Sequence, residues 1–89
     1  MPRITVVEKA LRGYYGYAYP NTGEIEIASG LHDYCYMVTL IHEVLHILYP
    51  DASETEVNRN SRTIAHQLRK AGYRSHRPKR KASAPPLES

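Results

Sequence analysis

The spacing of apolar residues changes once along this chain, near position 30, and that change sets the fold class. Before it the period is two. Arg3 to Glu8 is β-branched and alternating, Tyr14 to Tyr19 is aromatic, and Glu24 to Ala28 alternates acid with isoleucine. Pro20-Asn21-Thr22-Gly23 supplies a turn between the last two segments. These segments predict a three-stranded antiparallel meander in which Ile25 and Ile27 face a core, Glu24 and Glu26 face water, and Gly13 and Gly16 mark a bend or bulge. After it the period is helical. Met37, Leu40, Ile41, Val44, Leu45 and Leu48 recur at three- and four-residue spacing, with Asp33 as the expected N-cap. Proline pushes the residue before it out of the α region, so Pro50 ends this helix by Leu48 or Tyr49. A second helix is expected from about Asp51 to Ser53 as far as Ala71, with Gly72 as its C-cap. The class is therefore α+β, a small three-stranded antiparallel sheet followed by two packed helices.

A chain of 89 residues is one domain's worth, assigned here to residues 1–73. Cys35 is the single cysteine, so no internal disulfide can staple so small a core, and a bound metal is the available substitute. It shares a helix face with Thr39, His42 and His46 but reads as a small core filler. No apolar run is long enough to span a bilayer and no export leader is evident, which predicts a cytoplasmic protein with no membrane partner. The formal charge of +3 is uneven: residues 74–89 carry +4 and residues 1–73 carry −1. Rich in proline and poor in apolar groups, the segment 74–89 reads as a disordered basic tail. Arg77 to Lys81 within it is a candidate for weak nucleic-acid contact. Arg59, Arg62, His66, Arg69 and Tyr73 form a further stripe that reads as a solvated helix face. Seven of the eight tyrosines precede Pro50 and the chain has no Phe or Trp, so tyrosine is expected to supply the aromatic packing.

The chemistry concentrates in His42-Glu43-Val44-Leu45-His46, an HExxH motif inside the first helix. Residues four apart share a helix face, so both imidazoles can reach one zinc ion at about 2.0 to 2.1 Å. Glu43 is rotated by about 100° from His42, where it can act on water without being a ligand, the position of a general base. Composition alone would give about 0.02 such motifs in a chain of this kind, before any helix is required.

A catalytic zinc takes three protein ligands and keeps one position open. Asp51, Glu54, Glu56 and His66 are the candidates for the third. Positions 54, 57, 61, 64 and 68 share one face of the second helix and read Glu54, Val57, Ser61, Ile64 and Leu68, so Glu54 is expected to point inward. Glu56 lines up with Asn60, Thr63 and Gln67 and suits a capping box with Ser53. Asp51 and Glu54 can also pair as N-cap and N3, which would leave Glu54 a cap and nothing more.

His42-Glu-Val-Leu-His46 followed by Pro50-Asp51-Ala-Ser-Glu54-Thr-Glu-Val57 resembles the small zincin-type proteins of phage and microbial genomes, in essence a gluzincin metallopeptidase core reduced to a sheet and two helices. The likeness covers about residues 13–73. It implies His42, His46 and Glu54 as zinc ligands, Glu43 as catalytic base, and a peptide or protein substrate. SprT-like proteases also join an HExxH core to a basic tail, but they usually take a third histidine, and here His66 faces away from the expected stripe. The implied reaction is metal-assisted peptide hydrolysis, with Tyr49, Tyr17 or Tyr19 as candidate oxyanion stabilisers. If Glu24 to Ala28 forms the sheet edge, it could hold an extended substrate. Two alternatives are a zinc-stabilised binding or regulatory module that never turns over, and a zinc hydrolase of a non-peptide amide.

Overall fold

The computed structural model describes residues 3–74, folded as β1 (Thr5–Lys9), β2 (Gly16–Tyr19), β3 (Glu24–Ala28), α1 (Asp33–Leu48) and α2 (Glu54–Lys70). Apart from Arg74, the expected basic tail and its candidate nucleic-acid segment lie outside the described residues. No helix among the described residues is long and apolar enough to cross a membrane.

The α+β class holds, but the sheet is mixed. Its order is β1-β3-β2, with β2 antiparallel and β1 parallel to β3. A meander would have put β2 in the middle and β3 at the edge, and both expectations are corrected here. The reason lies in the inner faces of the strands. Ile25 and Ile27 are fully buried, whereas every residue of β1 is exposed. The central position removes most surface from water, and the isoleucine strand takes it. Residues 10–15 carry the chain past the end of β3, where the Ser29 N–H donates to the Lys9 carbonyl (2.9 Å). The β2–β3 hairpin forms as expected. Its turn bonds the Thr22 and Gly23 amides to the Tyr19 carbonyl, and Gly23 takes a φ of +79°, which L side chains rarely adopt.

Helix α1 lies across β2 and β3, and α2 packs along α1. His32, not Asp33, occupies the N-cap position of α1, without a side-chain cap bond; Asp33 is the first helical residue. Pro50 ends the helix where expected, with Tyr49 as C-cap. On α2 the buried residues are Val57, Ser61 and Ala65. Ile64, expected inward, is 40% exposed, and fully buried Ala65 takes its place. Small side chains at 61 and 65 allow α2 a close approach to α1 that a branched residue would block. The core is aliphatic rather than aromatic. Tyr14, Tyr15, Tyr17 and Tyr19 are exposed, and Tyr17 and Tyr19 stand on the sheet face that α1 leaves open. There the Tyr19 hydroxyl donates to the Glu26 carboxylate (3.3 Å), which also pairs with the Lys9 ammonium (3.4 Å).

Candidate metal centre

One turn of α1 separates His42 from His46, and their Nε2 atoms lie 3.2 Å apart. The start of α2 brings in Glu54, whose carboxylate oxygens lie 3.0 Å from His42 Nε2 and 2.9 Å from His46 Nε2. These three residues form a group that can hold a metal ion. A tetrahedral shell with bonds of about 2.0 to 2.1 Å has edges of about 3.3 Å, close to all three separations. Two imidazole nitrogens and a carboxylate are also a donor set that zinc accepts in catalytic sites. Facing lone pairs on two imidazoles and a carboxylate repel unless protons or a cation lie among them. The residues present therefore fit the ion.

Local capping explains why Glu54, rather than its neighbours, turns to the histidines. Ser53 caps α2: its side chain accepts from the Glu56 amide (3.1 Å), and the Glu56 carboxylate accepts from the Ser53 amide (3.4 Å). Glu56 is thereby committed to the helix end. Asp51 sits in the turn and lines a separate groove of about 680 Å³ with Leu45, Leu48 and Val57, which shares only Pro50 with the cleft beside His46. His66 lines a distant patch with Tyr34 and Arg69. Cys35 is half-buried and outside the group that could hold a metal ion.

Glu43 is 7% exposed, beneath β2. It fits there because Gly16 has no side chain: a Cβ at that position would stand 2.8 Å from Thr39 Cγ2 and 3.2 Å from Glu43 Cγ. Gly16 is thus a point of close strand–helix approach. Replacing it with alanine should destabilise the fold by about 1–3 kcal/mol through overpacking. Thr39→Ser, which deletes the clashing methyl, should recover part of that loss in a double mutant compared by urea denaturation.

Burial pushes the Glu43 carboxyl up from its ordinary 4.5 to about 7; His46 opposes the shift and Glu54 adds to it. The metal-free protein therefore holds a proton there that the unfolded chain releases. Its stability from this group is fully present below about pH 4.5 and is lost as pH rises through 7, by about 3 kcal/mol in all. Urea denaturation of metal-free protein at pH 5 and pH 8 should show this loss in wild type, with a smaller drop in Glu43→Gln.

Two clefts, of about 360 and 260 Å³, meet over the cluster and share Gly16, His42, Glu43 and Glu54. One runs toward Ala18, Pro20 and Pro50, the other toward Tyr14, Tyr15, Asn58 and Arg62. Strand β2 forms one bank. The Ala28 amide donates to the Tyr15 carbonyl (2.7 Å), so alternation along the antiparallel pair turns the amides and carbonyls of Gly16 and Ala18 away from β3, to the open edge. The edge beside the site is therefore β2, not β3. Of the candidate oxyanion tyrosines, Tyr19 is engaged with Glu26 on the far face and Tyr49 lines the separate groove. Tyr17 borders one cleft, but its ring packs edge-on against Tyr14 and Tyr19. Tyr14, Tyr15, Asn58 and Arg62 are groove residues that the sequence reading did not assign to the site. For the last two a signal existed: 54, 58 and 62 follow one another at four-residue spacing on α2. Comparison of the chain with protein-family models, with curated proteins and with solved structures returns no match.

Proposed function

We propose that the protein is a zinc-dependent metallopeptidase. The carrying observation is the convergence of His42, His46 and Glu54 to within about 3 Å of one another, in a groove bounded by a free strand edge, with Glu43 buried alongside. His42, His46 and Glu54 would hold the ion. When bound, zinc polarises the scissile carbonyl and makes water acidic enough to ionise near neutral pH. Glu43 takes the proton from the attacking water and returns it to the leaving amine. Its burial keeps the carboxylate poorly solvated and hence basic, while the cation would draw its pKa below the metal-free value of about 7. Gly16 and Ala18 would hold an extended substrate backbone by strand pairing across the groove.

The test is incubation of the zinc-loaded protein with an unstructured polypeptide such as casein, followed by mass spectrometry. The expected result is new internal termini that disappear on chelation and return on readdition of zinc. A protein that keeps its zinc while every such polypeptide stays intact would overturn the reading.

A further inference from the structure

Arg62 is the only lysine or arginine among the residues lining the two clefts. Among the described residues it has no ion-pair or hydrogen-bond partner. Of the other lysines and arginines on α2, Arg59 lines neither cleft, Arg69 stacks over the Tyr34 ring at 5.1 Å, and Lys70 lines the distant patch with it. Arg62 is exposed, as its place on the solvated stripe predicts, and it stands unpaired at one end of the groove.

The direction of β2 says what arrives there. From Gly16 to Tyr19 the strand runs from the Arg62 end of the groove toward Pro20 and Pro50. A peptide paired antiparallel to it, the slightly more stable arrangement, runs the opposite way and brings its C-terminal side to Arg62. Eight residues of helix separate Glu54 from Arg62, about 12 Å along the axis, the span of roughly three to four extended residues. Allowing for the length of the arginine side chain, the guanidinium reaches a group roughly two to four residues beyond the bond over the cluster. A planar guanidinium with no internal partner is suited to a carboxylate.

Resting on the peptidase reading, we propose that Arg62 is a specificity-determining residue that anchors a carboxylate on the C-terminal side of the cleaved bond. Two sources share that chemistry, the free end of a short peptide and an Asp or Glu side chain. Cleavage roughly two to four residues before a chain end, or before an acidic residue, follows from one guanidinium held at that distance from the His42, His46 and Glu54 group.

The experiment uses two synthetic pools of mixed-sequence decapeptides, identical except that one ends in free carboxylates and the other in amides. Each is passed over immobilised zinc-loaded Glu43→Gln protein to read retention, and each is incubated with zinc-loaded wild type to map cleavage by mass spectrometry. We expect the free-acid pool, or peptides with an acid at a fixed position in both pools, to be enriched about tenfold. Loss of that enrichment on amidation identifies the chain end; its persistence identifies the side chain. Arg62→Lys should keep part of the preference, and Arg62→Glu should abolish it and favour basic peptides. Circular dichroism should show unchanged helix content, since the side chain is exposed. Cleavage and retention indifferent to carboxylates and to Arg62→Glu would overturn this inference and leave the peptidase reading standing. No cleavage of either pool by wild type would overturn the peptidase reading and this inference with it.

Discussion

Stripping metal from the wild-type protein should lower its melting temperature by roughly 15 to 30 °C, and returning zinc should restore it. A ligand held at a thousand times its dissociation constant adds about 4 kcal/mol to the folded state, and in a domain this small each kcal/mol moves the midpoint by about 4–8 °C. The effect is large because the cluster ties α1 to the start of α2, across a turn that no disulfide closes. Two glutamates two residues apart make the control. Glu54→Ala should abolish both the metal content and the response to chelation, since its carboxylate spans both imidazoles. Glu56→Ala should keep the metal and cost only about 0.5–2 kcal/mol through the lost capping box. Thermal melts and metal analysis of the three proteins separate these outcomes. A wild-type midpoint unmoved by chelation and reloading would remove zinc from the account.

The helices and the shared face of His42 and His46 were legible in the sequence because both depend on short-range rules. Pro50 ends α1 through a steric clash with its own neighbour, and the spacing of His42 and His46 fixes their shared face whatever lies around them. Cap assignments were less secure. Asp33, Asp51 and Ser53 are all competent N-caps, and the choice falls to the path of the incoming chain. Ser53 with Glu56 won at α2, and that left Glu54 available to the histidines. Strand order was not legible. Alternation says that Ile25 and Ile27 face inward, but not which strand lies beside theirs, and the tie between Ser29 and Lys9 is a long-range contact with no local signature. The groove walls were hidden for a related reason. Asn58 and Arg62 continue the four-residue spacing of Glu54, but as polar residues on an exposed helix face they point to a groove only once β2 is seen opposite them.

Glu43→Gln should leave metal content and fold intact while cutting kcat/KM by about 10²–10⁴, the usual contribution of a general base. Glutamine keeps the size of the side chain and its packing under Gly16, so the loss reports the missing proton acceptor rather than a collapsed site. The same substitution should act in the opposite direction on stability. Burying an ionised carboxylate at 7% exposure is unfavourable, as the raised pKa of Glu43 records, and a neutral amide avoids most of that cost. In metal-free protein at pH 8 the variant should therefore be the more stable of the two, by up to about 3 kcal/mol, with the advantage vanishing as pH falls below 4.5, where the wild-type carboxyl becomes neutral in both folded and unfolded chains. Opposite signs in activity and stability are what a buried acid retained for proton transfer produces. A residue retained for structure loses on both measures when replaced. Equal turnover by Glu43→Gln and wild type, at equal zinc content, would place the base elsewhere and leave the burial of Glu43 without a chemical reason.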